Sequence, residues 1–379
     1  MEFTILKKST KSKARRTRIV LPHGTVETPV YMPVGTNGSV KAIKHQDVSD
    51  MGYRLILGNT YHLYLRPGIE VIKQAGSLHQ FTSWPHNILT DSGGFQIFSL
   101  APFRKIKEEG MYFRSHIDGS YHMLTPELAV QLQCGFRSDI LMALDQCTAP
   151  GIKEKEAVKA MEITHRWASR CKEEWLRCRE GEPSWGGNLF GIVQGNFFKN
   201  LRKESAQFIN SLELPGIAIG GLSVGEEPPV FKDFLAYTCE HLDENKPHYL
   251  MGVGTPEYIL EAFEDGVDML DCVYATRIAR NGAVFTHDGL LAMKKERFAA
   301  DFSPIEEGCS CYTCQHYTRA FLRQMFKAGE IMGPMLATIH NLQFMYNLVE
   351  DIKKSIDEDC FETFKKDFLS RYTGGSREE

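Results

Sequence analysis

Eight short apolar runs, each stopping at a polar residue or a glycine, constrain this chain more than any other feature. They are "VYMPVGT" (30–36), "YRLILGNT" (53–60), "NILTDSGG" (87–94), "DILMALD" (139–145), "LFGIVQG" (189–195), "GIAIGGLS" (216–223), "HYLMGVG" (248–254) and "DMLDCVY" (268–274). A strand with one face in water alternates in polarity, whereas a run that is apolar at nearly every position suits a parallel strand buried on both faces. Helical patterns fill most of the gaps. "TPELAVQLQCGFRS" opens on Thr125 as a cap with Pro126 in the first turn. "TPEYILEAFEDG" has Thr255 and Pro256 in the same places and stops at Gly266, and "KEKEAVKAMEITHRWASRCKEEWLRCRE" is long, charged and amphipathic. Strands alternating with helices predict an α/β fold, an irregular (β/α)8 TIM barrel. A doubly wound open sheet is the runner-up, since alternation alone does not require closure.

Two regions break the rhythm. Residues 2–27 alternate and contain the turn signal "PHGT", which predicts an N-terminal antiparallel sheet. "MYFRSHIDGSYHML" reads as a hairpin around Asp118-Gly119, inserted after the third strand. The expected division is residues 1–275 for the sheet and barrel, 276–345 for a zinc-binding subdomain, and 346–379 for a C-terminal helix that completes the barrel and a frayed tail, "TGGSREE".

Composition excludes some classes. The 379 residues are 42% hydrophobic, enough for a large core, and the net charge of −4 does not describe a wholly basic nucleic-acid binder, so any such contact comes from local patches. The first residues lack the apolar core of a secretory signal, and no apolar run is long enough to span a bilayer. Seven of the ten cysteines are scattered and three crowd into "CSCYTC", which reads as reduced thiols plus a metal site. The expectation is a cytoplasmic protein without a membrane partner.

A parallel barrel gathers its chemistry at the carboxyl ends of its strands. Those ends offer Asp91, Asp145, Gln194, Gly220, Gly221, Gly252 and Asp271. Each aspartate alone is as well read as a helix cap, but three at one mouth favour a site. Two facing carboxylates can exchange a glycosidic bond, one attacking the anomeric carbon and the other moving the proton. Gly93 and Gly94 beside Asp91 would let backbone approach a ligand closely. Asp145, Gln194 and the backbone of Gly221 suit a flat heterocycle with N–H donors and a carbonyl, and Phe95 and Met251 would sandwich it. The pattern suggests N-glycosidic chemistry on a purine-like base.

Cys309, Cys311 and Cys314, with His340 of "TIHN", supply a closed tetrahedral shell for one structural Zn2+, with His316 and Cys360 as rival fourth ligands. Arg277, Arg280, Lys294, Lys295, Arg297, Arg319, Arg323 and Lys327 form a local basic excess that would line a phosphate track, the alternative being a solvated face. The N-terminal "KKSTKSKARR" reads as a solvated hairpin edge.

With these motifs in hand, the chain resembles the queuine tRNA-ribosyltransferases, or tRNA-guanine transglycosylases, of the bacterial type. The carriers, spread over nearly the whole chain, are "TDSGGFQIFSL", "DILMALDQC", "GIVQG", "GIAIGGLSVGE", "HYLMGVGTP", "DCVYATRIARNG", and "CSCYTC" with "TIHN". The resemblance implies exchange of guanine at the anticodon wobble position of Asp, Asn, His and Tyr tRNAs for a queuosine precursor base. It implies Asp271 as nucleophile through a covalent ribosyl-aspartate and Asp91 as general acid/base. Asp145, Gln194, Gly221 and the Leu222 carbonyl would recognise the base, with Ser92 beside them and Phe95 and Met251 stacking. Arg277 and Arg280, with Thr276, would hold the tRNA anticodon loop, and a homodimer would orient the tRNA.

The chain departs from the family pattern at three places. Tyr274-Ala275-Thr276-Arg277 stands where members often read apolar-Pro-Thr-Arg, Gln146 where many have Glu, and Asn196 where many have a small residue. Cys147 and Val224 match the bacterial type, which takes 7-aminomethyl-7-deazaguanine; eukaryotic members, which take queuine, have glycine at Val224. The expected substrate is the small base. A queuine-incorporating variant, a retaining barrel glycoside hydrolase and a non-catalytic RNA-binding subunit are the alternatives.

Overall fold

In the computed structural model, which describes residues 1–101 and 103–375, the eight apolar runs become the strands of one closed parallel barrel. The strands are Val30–Gly35, Leu55–Gly58, Asn87–Thr90, Ile140–Met142, Asn188–Val193, Gly216–Ile219, His248–Leu250 and Met269–Cys272. Each pairs with the next in sequence, and the last returns to the first in the register Met269↔Val30 to Cys272↔Pro33. Closure rules out the open-sheet alternative.

Both faces of these strands are buried, for two different reasons. Met32, Val34, Leu55, Leu57, Leu89, Ile140, Met142, Phe190, Ile192, Ala218, Tyr249 and Met269 pack together as one interior cluster. Ile56, Ile88, Leu141, Leu189, Ile217, Leu250 and Leu270, at the alternate positions, belong to the larger cluster shared with the surrounding helices. Since successive side chains point to opposite faces, Asp271 shares the inward face with Met269, and Tyr249 is inside beside it.

The N-terminal sheet is present as Glu2–Lys8, Arg15–Leu21 and Gly24–Thr28. Its Ile19, Leu21 and Val26 join the barrel's interior cluster, so the sheet plugs the barrel. The basic run that opens it is only partly a solvated edge. Arg15 is 4% exposed and pairs with the fully buried Asp268 at 2.6 Å, while Arg16 pairs with Glu27 and Asp357.

The insertion after the third strand is a three-stranded antiparallel sheet, not a plain hairpin. Arg104–Ile106 adds a strand to Met111–Arg114 and Tyr121–Leu124. Thr125 caps its helix by accepting from Leu128 N–H, whereas Thr255 takes the N-cap position without a side-chain bond. After the eighth strand come the helix Tyr274–Asn281, a hairpin of Ala283–Thr286 and Gly289–Ala292, and the helices Tyr312–His316 and Arg319–Ala328. One helix, Met332–Asp357, then runs from the cysteine cluster to the first barrel strand, and Phe361–Gly375 follows it. Of the expected frayed tail, residues 373–375 continue that last helix and 376–379 lie outside the described residues. No helix of the described residues is long and apolar enough to cross a membrane.

Candidate active site

Asp91 follows the third strand directly and is 7% exposed. Its carboxylate accepts from Asn59 Nδ2 at 2.6 Å, Thr60 N–H at 2.8 Å and Gly93 N–H at 3.2 Å. Burial pushes this carboxyl up to about 6; the hydrogen bonds oppose that rise and the nearby charge of Asp271 adds to it. Burial also raises Asp271, against the hydroxyl of Tyr249 at 2.6 Å and the N–H of Gly252 at 2.8 Å. Both of these bonds go to Asp271 Oδ1, and Oδ2 takes neither. Both carboxyls are thus raised by burial, and the charge of Asp271 is a further cause of the rise at Asp91. The Tyr249 hydroxyl lies in the field of both carboxylates, which places them in one site.

Asp145 and Gln194, from the fourth and fifth strands, come together. Gln194 Nε2 donates to Asp145 Oδ2 at 2.7 Å, and the Cys147 thiol lies 3.5 Å from the same oxygen. Burial raises Asp145, and its bonds to Gln194, Cys147 and Ser92 pull the other way. Gly221 has φ +69°, and a Cβ there would stand 2.6 Å from Gln194 Oε1, so the residue must be glycine for two independent reasons. Leu222 is buried, Met251 is half-buried and Phe95 is 51% exposed, as a ring waiting for a partner would be.

The glycines beside Asp91 do something other than expected. A Cβ on Gly93 would meet Tyr61 N at 3.2 Å, and one on Gly94 would meet the Asp145 carbonyl at 3.0 Å. The space they clear is filled by the chain itself, so that the ends of the second, third and fourth strands can crowd together.

Several functional residues carried no sequence signal. Tyr249 reads as core in an apolar run, and Asn59 and Thr60 read as a strand end. Arg202 sits in an amphipathic helix, Lys199–Ser211, yet is fully buried. Its guanidinium donates to the carbonyls of Asn196 (2.9 Å), Gly220 (2.7 Å) and Gly221 (3.1 Å), and burial lowers its pKa to about 10. Glu226 accepts from the N–H groups of Ser223 and Val224 and so fixes the turn after Leu222.

The basic residues divide. Arg319 pairs with Asp301 at 3.1 Å and Arg323 pairs with Glu296, so their charge is already answered. Arg277 is exposed and Arg280 half-buried, and neither forms an ion pair among the described residues; burial and the neighbouring Arg277 both depress Arg280. Thr276 is only 2% exposed; it donates to the Val273 carbonyl and accepts from Arg280.

Cys309, Cys311, Cys314 and His340 form one cluster that can hold a metal ion. The three sulfurs lie 3.9, 3.5 and 3.3 Å from His340 Nδ1. His340 Nε2–H donates to the Phe285 carbonyl at 2.7 Å, which fixes the tautomer and leaves the Nδ1 lone pair facing the thiols. In a tetrahedral site with metal–sulfur and metal–nitrogen distances of about 2.3 and 2.0 Å, sulfur and nitrogen stand about 3.6 Å apart, and the three separations bracket that value. His316 is exposed against Tyr312, and neither it nor Cys360 belongs to the cluster.

The family profile described as Queuine tRNA-ribosyltransferase matches residues 9–374. A queuine tRNA-ribosyltransferase of Treponema denticola is 50% identical over 370 residues, 98% of this chain and 97% of that protein. One from Thermoanaerobacter sp. is 50% identical over 380 residues, 100% of this chain and 99% of its own, and one from Borrelia hermsii is 50% identical over 377, 100% of each. With near-complete coverage in both directions, the chain belongs to the queuine tRNA-ribosyltransferase family.

Proposed function

We propose that this pentosyltransferase exchanges guanine at the wobble position of Asp, Asn, His and Tyr tRNAs for 7-aminomethyl-7-deazaguanine. Asp271 Oδ2 attacks C1′ of the everted nucleoside as the bond from C1′ to the guanine nitrogen breaks. Asp91 gives its proton to the departing base, leaving a ribosyl-aspartate ester and an Asp91 carboxylate. The incoming base loses a proton to Asp91 as its nitrogen attacks C1′, and Asp271 is released. Water must be excluded while the ester stands, or the tRNA would be left abasic. Eversion from a loop costs only a few kcal/mol.

The observation that carries this reading is the buried pair: a carboxylate with one oxygen tied and one open, beside an acid held at about 6. Asp145, Gln194 and the Gly221 backbone would read the base, Phe95 and Met251 would stack on it, and Arg277 and Arg280 would hold loop phosphates. Cys147 and Val224 support the small base. A structural zinc ion would be held by Cys309, Cys311, Cys314 and His340, and would supply rigidity rather than chemistry. Phe302, Ile331 and Tyr312, 76%, 75% and 55% exposed on the subdomain after the barrel, support a homodimer contact. The work would be done in the cytoplasm, where tRNA is.

Asp271→Asn tests the mechanism. The variant is expected to bind tRNA while losing the denaturant-stable tRNA adduct; an adduct that persists would move the nucleophile elsewhere. Competition between bases tests the substrate, and faster incorporation of queuine than of the aminomethyl base would overturn that assignment.

A further inference from the structure

The sheet inserted after the third strand has a face that barrel chemistry does not use. Its register is Lys105↔Tyr112↔Met123 and Arg114↔Tyr121, with Arg114 N–H donating to the Phe103 carbonyl. The two-residue alternation sends Met111, Phe113 and Leu124 into the core, each no more than 2% exposed. It puts Phe103, Lys105, Tyr112, Arg114 and Tyr121 on the opposite face. Tyr121 is 58% exposed and Phe103 38%. The Tyr112 and Tyr121 rings stack at 5.5 Å with 10° between planes, and Phe103 stands edge-on to both at 6.3 and 6.2 Å. Lys105 Nζ lies 5.6 Å from the Phe103 ring and Lys107 Nζ 5.3 Å from the Tyr112 ring.

The three strands contain no carboxylate. Of those in the adjoining turns, Glu108 accepts from Arg166 at 2.7 and 2.9 Å and Asp118 closes its own turn on Ser120, while Glu109 is exposed. Protein–protein faces are depleted in lysine. A sheet face of aromatic rings set among cations suits unpaired nucleotides, whose bases stack on rings and whose phosphates meet the cations.

The platform is also continuous with the base site. The helix Gly94–Leu100 starts three residues after Asp91 and carries Phe95. Phe95 lies 6.5 Å from Phe98, Arg104 Cζ sits 4.7 Å above Phe98, and Phe103 is the residue before Arg104. A ring and a cation thus link the helix that carries Phe95 to the first strand of the inserted sheet.

We propose that this face is a second RNA-binding surface, which stacks unpaired loop nucleotides beside the exchanged one on Tyr121, Phe103 and Tyr112. Lys105, Lys107 and Arg114 meet their phosphates. The proposal rests on RNA being the substrate and specifies where the rest of the loop goes.

Anisotropy of a labelled anticodon stem-loop measures affinity apart from chemistry. Tyr121→Ala, at an exposed site, is expected to weaken binding about tenfold, as loss of a base stack does. KM should rise by the same factor with kcat unchanged, and Tyr121→Phe should restore both. Lys105→Ala should flatten the slope of log affinity against log salt by about 0.7, one phosphate's share. Affinities within about twofold of wild type in both alanine variants overturn the proposal. So does a change of oligomeric mass with RNA affinity intact, which would make the face a contact between copies. Guanine exchange by the wild type is followed in parallel. Its absence with tight stem-loop binding refutes the enzymatic reading alone; exchange with unaltered variants refutes the surface alone.

Discussion

Tyr249→Phe removes one oxygen atom and tests how Asp271, the proposed nucleophile, is held. Tyr249 is fully buried inside the barrel, its hydroxyl 2.6 Å from Asp271 Oδ1. The phenylalanine ring fills the same space, so packing is kept. What is lost is a hydrogen bond to a charged group, worth about 1.5–3 kcal/mol. That bond favours the ionised carboxyl, so its loss lifts the Asp271 pKa by about 1–2 units, beyond the rise that burial already imposes. The Gly252 N–H remains at 2.8 Å. Because the nucleophile must be ionised, the acid limb of the kcat/KM profile for guanine exchange moves up by about 1–2 units. Below that limb the rate falls about ten- to a hundredfold; well above it the loss is smaller, since the carboxylate forms in either protein. Stability follows the same sign. A carboxyl with a folded-state pKa above its unfolded value is favourable while protonated, below about pH 4, and loses that advantage as pH rises through the folded value. The variant's denaturation midpoint therefore falls further below wild type as pH rises from about 5 to about 8. An acid limb that stays in place, with the rate reduced equally at every pH, would refute the reasoning. It would mean that the hydroxyl positions substrate and does not set the charge of the carboxyl.

Arg202→Met keeps most of the volume but cuts the tethers to the Gly220 and Gly221 carbonyls. KM for the base is expected to rise about tenfold with a smaller change in kcat, the loss being about 1.4 kcal/mol of positioning; an unchanged KM would show that the turn holds itself. Chelation is expected to release about one zinc per chain and to lower the denaturation midpoint, as closed tetrahedral sites do. Metal analysis before and after dialysis checks the first and a melt the second, and a chain that melts identically without metal would remove the ion from the structure's support.

The barrel strands are legible in sequence because burial on both faces leaves no polar position inside a run; "GIAI" and "MLDC" break only where chemistry begins. Closure is not legible, because Met269 meets Val30 from far along the chain and no local pattern records that pairing. The aspartates are legible by position, at the ends of strands. The residues around them are not: Tyr249, which bonds Asp271, looks like core, and Arg202, which bonds the Gly220 and Gly221 carbonyls, looks solvated on its amphipathic helix. Arg15 misleads in the same way, since the buried Asp268 that answers it lies far along the chain. The strand Arg104–Ile106 escapes notice because two of its three side chains are charged, and its pairing with Tyr112 and Phe113 is set by the loop between them.

The metal cluster and the arginine pair are parts of one brace. His340 faces the three thiols, and the next residue on the same helix, Asn341, is fully buried with its amide spent on three backbone groups. Its Nδ2 donates to the carbonyls of Ala275 (3.0 Å) and Ala283 (3.2 Å), and its Oδ1 accepts from Phe285 N–H (3.0 Å). Phe285 in turn gives its carbonyl to His340. One turn of helix therefore joins the cluster, the hairpin and the first turn of Tyr274–Asn281, three residues from Asp271. Ala275 leaves φ freer than a proline would, and Asn341 pins its carbonyl. The need for such a brace is electrostatic. Among the described residues neither Arg277 nor Arg280 forms an ion pair, and burial and then the charge of Arg277 depress Arg280. Under the proposed function, two guanidiniums that hold RNA phosphates need a helix that cannot swing away from its neighbour, and a metal held by the four ligands would supply that rigidity without adding chemistry of its own.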